Sequence, residues 1–447
     1  MRRSGKACDE GTTPRSICQY QTPLARDYSF GRNFTQYFQS LFRPLEKRPL
    51  IIHACNLTTF QCLWIVWQRL SLPRGSQMTP EDIADAMDGN LRQTAPGRKE
   101  ALLPSPCVQN HAAFLSHGRE GLYCLWFGGS LEGKSDISIW RSLLGADGKW
   151  SGAERLSHDL ERSEQNPVQF DAPDGRRLIL HTAQPGGNQD ACLLAVREDG
   201  GEHGFVDLPR GTFIRGPIHV RGDGAWMMPL FRCVSRPGER WTGSHDTAAL
   251  AISSDAGKTW REVEVPGSIG SVHMTLVPLG GARYVAFYRR RQADFVCRSV
   301  SDDDGESWTA PEPTDVPNNN SSISVIRLSD GRIAMACNPA NAEMYPDARR
   351  GSLYDDLGAT DDRPNASGGC NPVWGVPRAP MIIAFSDDEG RTFRRRIVIE
   401  DGTGDCLSND SLDGNNREIS YPSLLEGPDS TLDLAYTYHR RAIKHVR

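Results

Sequence analysis

The twelve cysteines include no C-x-x-C pair and no histidine at zinc-ligand spacing, which argues against a metal site; neither a metal nor a cofactor is expected. Cys124, Cys192, Cys233, Cys297 and Cys337 stand singly, several inside apolar runs where a free thiol packs as a small hydrophobe. Buried thiols are therefore the reading preferred over a disulfide framework. No long run of one charge occurs, and 51 Lys+Arg against 56 Asp+Glu give a net charge of −5, so neither a nucleic-acid-binding field nor an acidic tail is indicated. The apolar stretch from Leu50 to Trp67 is broken by His53, Asn56 and Gln61, so no membrane span is expected. The charged start MRRSGKACDEGTTPR is not followed at once by the apolar core of a secretory signal, and the compartment stays open. Aromatics make up only 8%, whereas Gly 43 and Pro 29 are plentiful without a collagen-like period: this is a turn-rich, β-rich chain. A length of 447 residues holds two to three average domains or one large repetitive one.

Repetition decides between these. Residues 1–100 mix basic, polar and short apolar pieces without a sustained period and read as an accessory or poorly ordered N-terminal extension. Residues 101–447 repeat a turn followed by an alternating apolar run: REGLYCLWFGG, PDGRRLILHTAQ, GDGAWMMPLF, GGARYVAFYRRR, SDGRIAMACN and PDSTLDLAYTY. Each is preceded by a strand-like run across a hairpin turn, as in NHAAFLSH or HMTLVPLG, and followed by a third, as in DISIWRSLL or PMIIAFSDD. A short fourth segment closes five of the copies. The sixth ends at Arg447 without it, so a strand from about Lys99 to Leu103 is expected to complete the ring. The fold class is all-β, a six-bladed β-propeller of four-stranded antiparallel blades. A seventh blade within Asn338–Val376 is the alternative.

Between third and fourth strands stands S-x-D-x-G-x-x-W, complete at Ser253, Asp255, Gly257, Trp260 and at Ser301, Asp303, Gly305, Trp308. Phe393 replaces the Trp in the copy at Ser386, Asp388 and Gly390. The Asp accepts turn amides, the Gly supplies a positive φ and the aromatic packs between strands, so these are fold staples without a catalytic part. With this motif at this place in the blade, the chain resembles the sialidase superfamily, whose propellers carry Asp boxes, over roughly Leu103 to Arg447. The resemblance implies an exo-acting carbohydrate-cleaving enzyme whose partner is an oligosaccharide or glycoconjugate with an acidic sugar.

Turns leading into the innermost strands should gather on one face with the turns leaving the second strands. The former carry Asn110, His111, Gln165, Asn166, Arg215, His273, Asn320, Glu418 and Tyr421; the latter add Glu132, Arg289 and Arg291, and Arg378 precedes a third strand. The family grips a substrate carboxylate with three arginines and uses a glutamate-assisted tyrosine nucleophile with an aspartate as acid. On that resemblance Arg289 and Arg378 fall where the second and third arginines lie, Tyr421 in ISYPSL where the tyrosine lies, and Asp136, with Glu132 as the alternative, where the acid lies. Two departures stand out. Gln109, Asn110 and His111 replace the first arginine, although an IR-x-P sequence occurs at Arg215, and His273 replaces the glutamate.

Those departures suit a second chemistry. Arginines paired with a uronate carboxylate stabilise the enolate-like charge of an elimination, for which a histidine and Tyr421 are a base and acid pair. In QNHA, RSEQNP around Arg162 and FIRGP the chain also resembles the propeller lyases that release rhamnose from rhamnosyl-glucuronate ends. The expected catalytic set is His111, His273, Tyr421 and Asp136, and the expected substrate-binding set Asn110, Arg162, Arg215, Arg289, Arg378 and Glu418. A non-catalytic glycan-binding propeller stays open, as does a structural role for either histidine. The run HRRAIKH reads as a surface rim.

Overall fold

The computed structural model describes residues 78–447 apart from 187–188, 202, 348–361, 403–405 and 407–416. The apolar stretch 50–67 and most of the expected extension lie outside these. No helix among the described residues is long and apolar enough to cross a membrane. Described residues before the repeats form α1 (Pro80–Ala86), β1 (Arg92–Ala95) and β2 (Arg98–Leu102).

Six antiparallel sheets follow. Blade 1 is β3 (Gln109–Gly118), β4 (Gly121–Gly129), β5 (Ser138–Leu144) and β6 (Glu154–Arg155); blade 2 is β7 (Ser163–Asp171), β8 (Arg177–Gln184), β9 (Leu193–Glu198) and β10 (His203–Phe205). In blade 3 the innermost strand is split into β11 (Thr212–Ile214) and β12 (His219–Val220), ahead of β13 (Trp226–Arg232), β14 (Thr247–Ser253) and β15 (Arg261–Glu264). Blade 4 holds β16 (Ser271–Gly280), β17 (Arg283–Arg290), β18 (Phe295–Ser301) and β19 (Glu312–Pro317), and blade 5 holds β20 (Ser324–Arg327), β21 (Ile333–Cys337), β22 (Met381–Ser386) and β23 (Arg395–Glu400). Blade 6 is β24 (Ile419–Glu426), β25 (Leu432–Tyr438) and β26 (Ala442–Val446), completed from the other end of the chain. There β2 pairs with β26 in the register Glu100↔Val446, Ala101↔His445, Leu102↔Lys444, and β1 adds a fifth strand. Closure removes the open edge that the missing outer strand would leave.

Burial follows position in the blade. Second strands are buried on both faces between neighbouring blades, so β21 (IAMAC) and most of β13 (WMMPLFR) are apolar throughout. Outer strands β6 and β15 are largely exposed and charged. The core therefore lies in layers between blades; Phe170 of blade 2 meets Trp226 of blade 3 edge to face at 4.8 Å. The S-x-D-x-G motifs close the hairpins as expected: Ser386 Oγ donates to Asp388 and accepts the Gly390 amide, while Asp388 accepts both the amide and hydroxyl of Thr392. Gly390 has φ +80°, and a Cβ there would lie 2.2 Å from the Phe287 ring. The eight described cysteines are free thiols.

A shared backbone feature of the innermost strands aims the axial side chains. Ala112, Asn166, His273, Asn320 and Tyr421 occupy the same place in five blades, and all have a left-handed φ of 51–61°. The ladders skip there, between His111 and Phe114, Gln165 and Val168, Val272 and Thr275, and Ser420 and Ser423. Each is a bulge that re-aims a side chain out of the regular alternation. A non-glycine residue in this conformation costs on the order of 1–3 kcal/mol, which the surrounding blade must offset. In blade 3 the corresponding place is the break between β11 and β12 that holds Arg215 and Gly216.

Candidate active site

The bulges bring Tyr421, His111 and His273 together on the face opposite the clasp motifs. The His111 ring centroid lies 4.2 Å from that of Tyr421, and His273 meets Tyr421 edge-on at 5.7 Å. Three guanidinium groups surround the same phenol ring, Arg215, Arg289 and Arg378, at 5.6, 5.7 and 5.6 Å from its centroid. All of these side chains are buried, with Tyr421 at 8% exposure.

Their hydrogen bonds define two layers. In the first, Arg289 donates to the Tyr421 hydroxyl at 2.6 Å, to Asn320 Oδ1 at 2.8 Å and toward His273 Nε2 at 3.3 Å. A guanidinium only donates, so His273 Nε2 is an acceptor and its Nδ1 carries the proton toward Ser322 Oγ at 3.1 Å. Arg215 donates to the backbone oxygen of Ala113 at 2.8 Å, while its Nη1 is buried without a partner. Among the described residues neither Arg215 nor Arg289 is paired with a carboxylate. Burial lowers both guanidinium groups to about 10, still protonated at neutral pH, so this layer carries uncompensated positive charge.

The second layer is a charge network that sequence reasoning missed. Glu418, fully buried, accepts from Arg378 at 2.7 Å, from Ser420 Oγ at 2.7 Å and from Arg440 Nε at 2.8 Å, and Arg440 also donates to Glu132. Burial alone would raise the Glu418 carboxyl, but Arg378 and Arg440 outweigh it and hold it well below the usual range. The surface-rim reading of HRRAIKH is overturned. Arg440 is 1% exposed within this network, and Lys444 bridges Glu100 and Glu400. The signal was present but ambiguous, since a charged run reads as solvated until its partners in Glu132 and Glu418 are known.

His111 is neutral. Burial first, then Arg440, depresses it well below 6.5; its Nδ1 is 2.8 Å from Thr437 Oγ1 and its Nε2 has no partner. His273 is depressed in the same way, by burial and then by Arg289. Both are in the form that can accept a proton.

Three expected site residues are placed elsewhere. Asn110 is locked into the scaffold: its amide oxygen accepts from Trp126 Nε1 and Ser105 Oγ, and its amide nitrogen donates to the carbonyls of Cys107 and Arg441. Arg162 pairs with Asp159 and lies over the Phe205 ring at 5.8 Å, at the margin of blade 2. Asp136 is exposed and accepts the Ser130 amide within its own loop. The short side chain of Asn110 and the local turn around Asp136 satisfy nearby backbone groups, which no reading of strand starts anticipates.

A closed ring of six four-stranded blades with a polar, arginine-lined axial face is a fold shared with sialidases. The Hadza microbial sialidase Hz136 superposes with a TM-score of 0.54 at 13% identity, over 75% of this chain and 65% of that one. Trypanosoma rangeli sialidase gives 0.52 at 11% identity, over 81% and 58%. A protein of unknown function from Dyadobacter fermentans DSM 18053 gives 0.52 at 15% identity, over 79% and 99%. The chain thus spans less than two thirds of either of these two sialidases. No curated protein matches it. The profile of the BNR repeat-like domain matches residues 120–434, and the chain belongs to that family.

Proposed function

We propose that this protein is an exo-acting glycosidase that removes a terminal sugar at an acidic residue, sialic or uronic, whose carboxylate is held by Arg215 and Arg289. The observation that carries this reading is the pair of buried guanidinium groups without a carboxylate of their own beside Tyr421. Such groups are costly to bury unless an anion meets them, and planar guanidinium suits a carboxylate. Tyr421 is the nucleophile in this reading. The Tyr421 hydroxyl and His273 Nε2 both meet Arg289 Nη1, at 2.6 and 3.3 Å, and in this reading His273 takes the place of the absent glutamate beside the tyrosine. Arg378 is held by Glu418 and serves as the fixed wall of the site, while Glu418 itself is a positioning residue for Arg378 and Arg440.

A second reading is favoured by one observation, the unpartnered Nε2 of neutral His111, whose ring lies tilted against that of Tyr421. With a uronate carboxylate on the arginines, His111 abstracts the neighbouring proton and Tyr421 protonates the departing oxygen, leaving an unsaturated uronate. A sialoside and a rhamnosyl-glucuronate substrate, with products analysed by mass and by ultraviolet absorbance, separate the two. A free saturated sugar supports hydrolysis, an absorbing unsaturated uronate supports elimination, and no turnover of either, with binding retained, assigns the site to recognition.

A further inference from the structure

We propose that Glu164, His181 and His203 form a binding site for a divalent transition metal, Zn2+ by donor chemistry, in blade 2 and separate from the arginine cluster. One ligand atom from each residue lies within 4.8 Å of the other two. The three come from different strands, Glu164 from β7, His181 from β8 and His203 from β10, which is why no short ligand spacing marks them in the sequence.

The register puts them on one face. Glu164 pairs with Ala183, two residues from His181; His181 pairs with Ala195, and Ala195 with Phe205, two residues from His203. Ala195 on the intervening strand has no side chain long enough to separate the imidazoles, which stack with centroids 6.1 Å apart and planes 25° apart. His181 is the independent indication of a ligand. It is fully buried, and both of its ring nitrogens lack a hydrogen-bond partner. Buried imidazoles nearly always place at least one nitrogen on a donor or acceptor, and a metal would meet one of the two nitrogens of this ring.

Distances and donor types agree. His181 Nε2 stands 3.7 Å from Glu164 Oε1. Tetrahedral zinc, with bonds of about 2.0–2.2 Å, holds its donors about 3.3–3.5 Å apart, and exposed His203 has the freedom to close the remaining gap. Glu164 Oε2 is anchored by Ser157 Oγ at 2.6 Å and the Asp159 amide at 3.2 Å, which orients the other oxygen toward His181. Two imidazoles and one carboxylate without a thiolate suit zinc, cobalt or nickel rather than calcium or copper(I), and leave the solvent side for a water ligand.

The test uses the full chain after chelator treatment. Zinc is titrated calorimetrically, and Co2+ serves as a visible-absorption probe, in the wild type and in His203→Ala, whose side chain is exposed and whose loss leaves the fold intact. The expected result is one zinc per chain lost at least tenfold in affinity in His203→Ala, a tetrahedral Co2+ band present only in the wild type, and a zinc-dependent rise in melting temperature confined to it. Glu164→Gln should reproduce the loss. Equal zinc binding and identical Co2+ spectra in wild type and His203→Ala, or no zinc binding by the wild type, would overturn the site.

Discussion

At the clasp end of the propeller, Asp388 is satisfied by Ser386 and Thr392, partners two and four residues away. At the axial end, Arg440 reaches Glu132 across 308 residues, His111 reaches Thr437 across 326 and Arg289 reaches Tyr421 across 132. The first arrangement is a local device repeated blade by blade and survives as a sequence motif. The second exists only when the ring is closed, because blades 1, 3, 4, 5 and 6 each contribute a member. The difference teaches that in this fold a polar residue with local partners staples a hairpin, whereas one whose partners lie in other blades couples closure to the site.

Glu418→Gln leaves Arg378 and Arg440 buried without their shared carboxylate, and unfolding in denaturant should show a loss of about 3–5 kcal/mol; a loss no larger than that of a clasp variant would erase the distinction. Tyr421→Phe removes the acceptor of the Arg289 bond, and on the proposed reading turnover should fall at least about a hundredfold while the melting curve moves little. Acid should act on the axial end. His111 and His273 are held well below 6.5 when folded, so the unfolded chain takes up protons first as pH falls through about 6.5, and stability present above that pH is lost on acidification. His181 and His219, lowered to about 3 and about 4, add to the slope, and Glu164, pushed up to about 7, opposes it. Melting temperatures between pH 7 and 5 should consequently flatten in His273→Gln. The smallest effect belongs to the clasp: Asp388→Ala loses local, part-buried hydrogen bonds, and equilibrium unfolding should register about 1 kcal/mol.

Most of the fold was legible because a blade is a short-period object. Hairpin turns, alternating runs and the clasp motif repeat with it, and even the closing strand, Arg98–Leu102, was implied by the missing outer strand of the sixth blade. The N-terminal side of that strand was not, since α1 and β1 carry no repeat. In the site, Tyr421, His111, His273, Arg215, Arg289 and Arg378 were found by their place at strand starts and ends, and the structure brings them together. What was not legible is the role of each charge. Glu418 and Arg378 were both expected to bind substrate but neutralise one another, and Arg440 looked like rim. Left-handed bulges at His273 and Tyr421 are likewise invisible in sequence, because no glycine marks them and the surrounding blade imposes that φ.

The central claim is that Arg215 and Arg289 are there for a substrate carboxylate. The most direct measurement compares cleavage of a terminal acidic glycoside with that of its methyl ester, matched in every other group, by the wild type and by Arg289→Leu. The account predicts that the free acid is cleaved, that the ester is not, and that Arg289→Leu abolishes the preference; equal cleavage of acid and ester by the wild type would contradict it.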